Sequence, residues 1–557
     1  MMRRRALIAA ISAAFAVAGS AQQQPATPSM LLGVQTHFSQ NWPAAWGDRA
    51  IDVTAGSLRD SIPWASGEPR LGKYAIEGSV AGTLSRYCHR SGGDVLLTLD
   101  PRHPLYDGGH TVSTPTAMAA YAAYVGTVLD RLPGCVTAIE VGNEINSGNL
   151  AYTKGVDPAA AYVALLTVVR DRIKPRHPSV AILGGSTNMI GTGFLETLFK
   201  AGMLGVADGV AVHPYRHLAD NIDWEIAHLD ATMRRYGTPI PIWATEFSDN
   251  YPTPDLAAPE LVKFVTLMSA SGVRRTYWYA LIDQRFFRNM GLFTQSQAAK
   301  PAAEAFTLLT THMLPAGRAQ RIDTGDRDVR LYRFGADRWV VWGPSGTLRF
   351  DAGRILSARN RPLPGTSVAI GPDPVVVIGA GRFAFTRGTV LADSLSGYGS
   401  APWSYWVEGA DGQRHALGIL DGMWTSAFGS RFTRPLAISD TGGAVAGDAA
   451  HAARAVIRYT APAAMTARVA ACIAKSPGGD GLDVALLVRG KRVAGAVVVD
   501  RWTATEQTVT LRTGETVDLS VGPNQIPGHD AFTYRIRLTE AGSTISPDAT
   551  KGPAGCI

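Results

Sequence analysis

Residues 136–144 read VTAIEVGNE, an apolar run of strand length that ends in an asparagine and a glutamate. Val, Thr and Ile favour a pleated backbone, and a short apolar run closed by Gly is the pattern of a strand buried on both faces. Glu140 and Glu144 are out of place there, because burying an unpaired carboxylate costs more than folding can usually spare. Either they are paired structural groups, or this strand end carries a site.

Seven further runs of the same kind surround it: LLGVQTH (31–37), AGSLRD (55–60), DVLLTLD (94–100), VAILGGS (180–186), GVAVHPY (209–215), IPIWATE (240–246) and RTYWYAL (275–281). Between them lie segments such as TPTAMAAYAAYVGTVLDRL, DPAAAYVALLTVVRDRIK and APELVKFVTLMSAS. These carry apolar residues at helical spacing, with Asp or Thr near the start and Pro at the first helical position. Strand and helix alternating eight times over residues 31–315 predicts an α/β fold, a (β/α)8 TIM barrel, rather than an open doubly wound sheet. No GxGxxG follows the first run, which removes the dinucleotide-binding signature of the rival fold.

Polar residues gather where the runs end. His37 closes the first, Arg59 and Asp60 the second, and Asp100 to His103 follow the third. Asn143 and Glu144 end the fourth, His213 and Tyr215 the sixth and Glu246 the seventh, while Trp278 lies in the eighth. A barrel of this kind builds its active site at that face.

After the barrel the helical periodicity stops. Residues 316–387 read as a small all-β domain, and RGTVLADSLSGYGSAP (387–402) as a linker opening the last region. Across residues 388–557, alternating stretches such as LDVALLVRGKRVAGAVVV predict a β-sandwich. Its aromatic residues Trp403, Tyr405, Trp406 and Trp424 form a sugar-stacking face if exposed, and ordinary sandwich core if buried.

The first residues, MMRRR followed by ALIAAISAAFAVAG and GSA, have the charged, apolar and small-residue regions of a secretory signal peptide. Residues 1–21 are expected to be that signal and 22–30 a linker, which places the mature protein in the periplasm or outside the cell. No later stretch is long and apolar enough to span a bilayer. The chain has 557 residues, more than one hydrophobic core usually holds, and its 46% apolar and 18% charged content is that of a globular protein. Arg3, Arg4 and Arg5 account for much of the net charge of +7, and no dense basic block remains, which argues against nucleic acid as a partner. The four cysteines show no metal-ligand spacing, so no metal site or cofactor is expected. Cys88 with Cys135 and Cys472 with Cys556 are the plausible disulfides, with free buried thiols as the alternative. GGST (184–187) lacks the ending of a phosphate loop, and no Gly-x-Ser-x-Gly elbow stands out.

Glu144 and Glu246 are far apart in sequence, but strands four and seven lie on roughly opposite sides of a barrel. Their ends face each other across its mouth, as cleavage of a glycosidic bond requires: one carboxyl protonates the leaving oxygen, and the other attacks the anomeric carbon or activates water. Asn143 is placed to bond a sugar hydroxyl, and Arg59 or Tyr215 to favour ionised Glu246. Glu144 would then hold the proton. Trp278 reads equally as a sugar platform or as barrel core, and Glu140 as a structural ion-pair partner.

VGNEIN (141–146), VHPY (212–215) and IWATEF (242–247) together resemble the clan of retaining (β/α)8 glycoside hydrolases. HPLYDGG, HPY and the later GLF with KPA most resemble family 39, especially its bacterial exopolysaccharide-associated members. The resemblance implies Glu144 as acid/base, Glu246 as nucleophile, and Arg59, Asn143, His213, Tyr215 and Trp278 around the donor sugar. His103 and Tyr106 are added on the third loop. Two positions depart from the family pattern: Ile145 stands where proline is usual, and Ser248 where glycine is frequent. The expectation is a secreted retaining glycoside hydrolase acting on an oligo- or polysaccharide, with a transglycosylase or a non-catalytic polysaccharide-binding protein as alternatives.

Overall fold

A computed structural model describes residues 29–430, 436–445, 453–525 and 530–543. The expected signal peptide and most of the linker after it lie outside the described residues. Eight parallel strands close into a barrel: β1 (Leu31–Gln35), β2 (Ser57–Ser61), β3 (Asp94–Leu99), β4 (Val136–Val141), β5 (Ala181–Asn188), β6 (Gly209–His213), β7 (Ile242–Phe247) and β8 (Arg275–Trp278). Leu31 to Val34 pair with Arg275 to Trp278 to complete the ring. The predicted fold class is the observed one.

Strand periodicity sorts the side chains. Leu96, Ala138, Leu183, Ala211, Trp243 and Tyr277 meet in one apolar cluster inside the barrel. Their neighbours Val95, Leu97, Ile139, Val210, Val212, Ala244 and Trp278 belong to the larger core shared with the surrounding helices, because successive side chains of a strand point to opposite faces. Those helices start where their sequences say. Thr114 Oγ1 accepts from Ala117 N at 3.3 Å ahead of Pro115–Arg131, and Asp157 Oδ1 accepts from Ala159 N at 3.0 Å ahead of Pro158–Ile173. Cys88, in the helix Ser79–Ser91, is bonded to Cys135 just before β4. Cys472 is disulfide-bonded, and its expected partner, Cys556, lies outside the described residues.

Antiparallel sheets follow the barrel. Strands between Ala319 and Arg387 form a six-stranded and a three-stranded sheet around Leu331, Trp339, Leu348 and Val377. Beyond them an eight-stranded and a six-stranded sheet pack over a second core built from Trp403, Tyr405, Ile457, Leu486 and Ile536. The segment read as a linker is instead part of this packing. Val390–Asp393 is a strand paired with Ala531–Glu540. The buried Asp393 carboxylate receives Arg535 at 3.0 Å and Arg537 at 2.7 Å, and its backbone N–H donates to Asp328. Gly and Ser gave the stretch its loop-like composition, whereas its ion-pair partners lie far along the chain.

The four aromatic residues divide. Trp403 and Tyr405 are core, and Trp406 lies half-buried with the Arg458 guanidinium 5.2 Å from its ring. Trp424 stays 41% exposed. The sandwich also packs on the barrel: Trp224, in the helix Ile222–Arg234, meets the rings of Tyr398 at 5.2 Å and Phe428 at 5.9 Å. Among the described residues no helix is long and apolar enough to cross a membrane.

Candidate active site

Two residues beyond the apolar cluster, the inward positions of β3, β4, β6 and β7 turn polar, to Thr98, Glu140, His213 and Thr245, and Arg59 joins them from β2, all buried. Arg59 organises them. Its Nε donates to Glu140 Oε2 at 2.8 Å, its Nη1 to Gln35 Oε1 at 2.6 Å and also to Glu246 Oε1, and its Nη2 to Asn143 Oδ1 at 2.8 Å. A guanidinium has five donors in a fixed plane, so one side chain sets the positions of four others.

Glu140 is the paired structural carboxylate its depth suggests. Besides Arg59 it accepts from Thr98 at 2.9 Å and Thr245 at 2.8 Å, and His213 Nε2 lies 3.4 Å away. Burial alone would push its pKa up, but the Arg59 charge and His213 hold it far below the usual carboxylate range.

Past Glu140 the chain turns. Gly142 and Glu144 both take left-handed backbone conformations, with φ of 84° and 45°. A Cβ on residue 142 would come within 2.8 Å of Ile145 Cγ2, so this turn needs glycine. For Glu144 the conformation costs roughly 1 kcal/mol. Asn149 Nδ2 steadies the turn by donating to Asn143 O at 2.9 Å. Ile145, in the position where the family resemblance expects proline, is buried.

The turn brings Glu144 across from Glu246. One carboxylate oxygen of each, together with a His213 ring nitrogen, lie within 4.8 Å of one another. The two acids are not equivalent. Glu246 is 7% exposed and accepts hydrogen bonds from Arg59 and from the Tyr215 hydroxyl. Burial pushes its pKa up, yet Arg59, His213 and Tyr215 outweigh that and hold it below the usual value. Glu144 has a side chain 23% exposed, and His213 Nδ1 stands 3.5 Å from its Oε1.

His213 is fully buried, and burial opposes its charge. Glu246, Glu140 and Glu144 outweigh both that and the Arg59 repulsion, raising its pKa to about 9. It is therefore an imidazolium at neutral pH. Arg59 Nη2 comes within 3.4 Å of its Nε2, a contact between two donors rather than a hydrogen bond. Two buried cations thus face three carboxyls. Arg59 and His213 balance Glu140 and Glu246, and Glu144 is the carboxyl left over.

A wall of rings stands beside Glu246. His37 meets Trp42 edge-on at 5.2 Å and Tyr279 at 5.3 Å, and Tyr279 meets Tyr215 at 5.9 Å. Burial drives the His37 pKa down to about 4, against the pull of Glu246, so its ring is neutral, and its Nε2 is buried without a hydrogen-bond partner. Ser248 Oγ donates to Tyr279 O at 2.5 Å, tying the ends of β7 and β8 together. Because Asn143 Oδ1 is held by Arg59, its Nδ2 is the group left to donate to a ligand.

Of the residues singled out from sequence, Arg59, Asn143, Glu144, His213, Tyr215 and Glu246 converge here. Trp278 does not. It is fully buried, its Nε1 donates to Met290 O at 2.8 Å, and its ring packs on Phe247 at 5.2 Å. Tyr277 points into the barrel, so Trp278 points out, and the barrel-core reading is the correct one. His103 and Tyr106 serve a different centre. His103 Nε2 pairs with Glu68 O at 3.0 Å, and its Nδ1 accepts from Leu105 N at 3.0 Å. The Tyr106 hydroxyl donates to Glu68 at 2.7 Å, and its ring stacks on Trp64 at 5.0 Å. Both fix the loops after β2 and β3. Gln35 and Tyr279 were not singled out. Tyr279 shares its strand parity with Tyr277, and Gln35 with Gly33, and that periodicity is the signal that finds them.

The donor atoms of Glu144, His213 and Glu246 lie close enough to converge on a metal ion. A metal there would have to displace the proton that the surrounding carboxylates favour on His213 and to share Glu246 with the Arg59 guanidinium.

No curated protein matched the chain. Among solved structures, a family 39 glycoside hydrolase from the gut symbiont Bacteroides cellulosilyticus WH2 is similar at 17% identity, over 63% of this chain and 81% of that one, with a TM-score of 0.54. A family 39 β-xylosidase from Caulobacter crescentus aligns at 16% identity over 64% of this chain and 97% of its own, with a TM-score of 0.44. Residues 133–306, the segment that carries Glu140, Asn143, Glu144, His213, Tyr215 and Glu246, match the family model described as the glycosyl hydrolase catalytic core.

Proposed function

We propose that this protein is a secreted retaining glycoside hydrolase that cleaves an oligo- or polysaccharide by double displacement. The observation that carries the reading is the asymmetry of two facing carboxyls whose nearest oxygens lie within 4.8 Å. Retaining enzymes need their carboxyls about 5–5.5 Å apart, and inverting ones about 6.5–9.5 Å, to leave room for a water. Glu246, held ionised by Arg59, His213 and Tyr215, is the nucleophile. It attacks the anomeric carbon as Glu144 gives its proton to the departing glycosidic oxygen. Glu144 then takes a proton from water, which attacks the same carbon and frees Glu246. Asn143 Nδ2 and neutral His37 are donors for sugar hydroxyls in this scheme. Secretion is supported by the apolar N-terminal run and by the Cys88–Cys135 disulfide, a bond favoured in oxidising compartments.

Purified protein is to be screened on 4-nitrophenyl glycosides and on xylan, mannan, β-glucan and a bacterial exopolysaccharide, with the anomeric proton of the first-formed product followed by NMR. The expected product keeps the configuration of the substrate. An inverted product, or no cleavage of any glycan, sinks the proposal.

A further inference from the structure

The hairpin formed by Gly418–Asp421 and Ser426–Gly429 belongs to the C-terminal sandwich, yet its tip is seated on the barrel. Gly193 N donates to Gly422 O at 3.0 Å, and Asn146 Nδ2 donates to Met423 O at 2.7 Å. His228, on the barrel helix Ile222–Arg234, pairs with Asp421 at 2.6 Å. The backbones approach so closely that a Cβ on Gly191 would lie 2.3 Å from Met423 O, and one on Gly193 2.6 Å from Asp421 O. Only glycine admits such an approach. A hairpin fixed this firmly would ordinarily bury its apolar tip, but Met423 is 53% and Trp424 41% exposed.

Trp424 stands in the chain between a residue bonded to the barrel loop and two that line a cavity. On one side Met423 is bonded to Asn146, two residues beyond Glu144 in the same loop. On the other, Thr425 and Ser426 line a cavity of about 230 Å³ whose remaining wall includes Tyr215, Arg216, Asp440 and Thr441. Tyr215 is the residue whose hydroxyl donates to Glu246. One lining residue of the cavity, Tyr215, thus also contacts the candidate catalytic carboxylate, and the cavity carries hydroxyls and a charged pair, Arg216 to Asp440 at 3.0 Å. An exposed aromatic face beside hydroxyl and charged donors and acceptors is the chemistry that binds a sugar ring.

We infer that the sandwich hairpin 418–429 is a wall of the substrate cleft, forming a further sugar subsite next to Glu144 and Glu246 with Trp424 as its stacking face. The inference rests on the glycosidase reading and deepens it: the substrate is a chain of several sugar units lying across barrel and sandwich, and the last domain is part of the site rather than a separate module.

The test compares the 4-nitrophenyl glycoside and the polysaccharide cleaved in the panel above. Trp424→Ala should raise KM for the polysaccharide roughly fivefold and leave kcat/KM for the 4-nitrophenyl glycoside unchanged. Trp424→Phe should restore most of the loss, and thermal unfolding should match the wild type. Equal KM for wild type and Trp424→Ala on the polysaccharide overturns the inference, as does an equal loss on both substrates. So does a wild type that cleaves only the 4-nitrophenyl glycoside. If nothing is cleaved, the hydrolase reading fails separately, and the subsite is read by electrophoresis in gels containing the same polysaccharides. Retardation of the wild type that Trp424→Ala abolishes supports the subsite, and equal mobility of the two overturns it.

Discussion

Two layers of the barrel interior differ by one step along each strand. Leu96, Ala138, Ala211 and Trp243 form the lower layer, and two residues on Thr98, Glu140, His213 and Thr245 form the upper. Both are buried and both face inward, so burial does not separate them. The lower layer is held by area removed from water, which is non-directional and tolerant of chemistry. The upper is held by directed, charge-assisted bonds converging on Arg59, which tolerate little displacement. Residues of the lower layer should therefore affect stability alone, while Glu140 and Glu246, both paired with the buried Arg59, should affect activity and stability together.

Glu246→Gln should break the rim most severely. It keeps the shape and removes the nucleophile, so kcat should fall by on the order of 10⁵-fold, and the unfolding temperature should fall as well because buried Arg59 loses a carboxylate. Glu140→Gln takes one carboxylate from the buried Arg59. Unfolding free energy should drop by about 3 kcal/mol, and kcat on the order of 10²-fold as Arg59 misplaces Glu246, both measurable on the same preparation by denaturant titration and steady-state kinetics. Trp243→Ala, in the lower layer, should cost about 3 kcal/mol of stability while kcat per folded molecule stays within a factor of about two. A large kcat loss there would mean the two layers are not separable.

The charges of the upper layer also set a pH window. His213 has its pKa raised from 6.5 to about 9 on folding. Its stabilisation is complete below pH 6.5 and is lost as pH climbs through about 9. Glu246 has its pKa lowered from 4.5, so its contribution is complete above that value and fades as pH falls. Thermal midpoints should thus peak between these limits, and His213→Gln should flatten the alkaline decline. Trp278→Phe is the smallest change expected: about 1 kcal/mol of stability, with KM unaltered. A raised KM would return Trp278 to the site.

The barrel is legible in the sequence because each strand is a short apolar run with a polar end, flanked by helices that announce their own caps, as Thr114 and Asp157 do. Arg59, Asn143, His213 and Tyr215 were legible for the same reason: they stand at strand ends that the topology brings together. What failed was direction and distance. Trp278 lies at a strand end, but one residue out of phase with the inward Tyr277 and Tyr279. His103 and Tyr106 sit on the expected loop, yet Glu68 of another loop occupies them. Asp393 looked like linker because Arg535 and Arg537, which justify its burial, come from the last strand.

The central claim is that Glu246 forms the bond to the sugar while Glu144 moves the proton. The most direct measurement is a peptide mass spectrum of the protein after incubation with an activated 2-deoxy-2-fluoroglycoside of the sugar it accepts. The account predicts one added glycosyl group on the peptide containing Glu246, absent in Glu246→Gln. Label on Glu144, or inactivation without any covalent adduct, would contradict it.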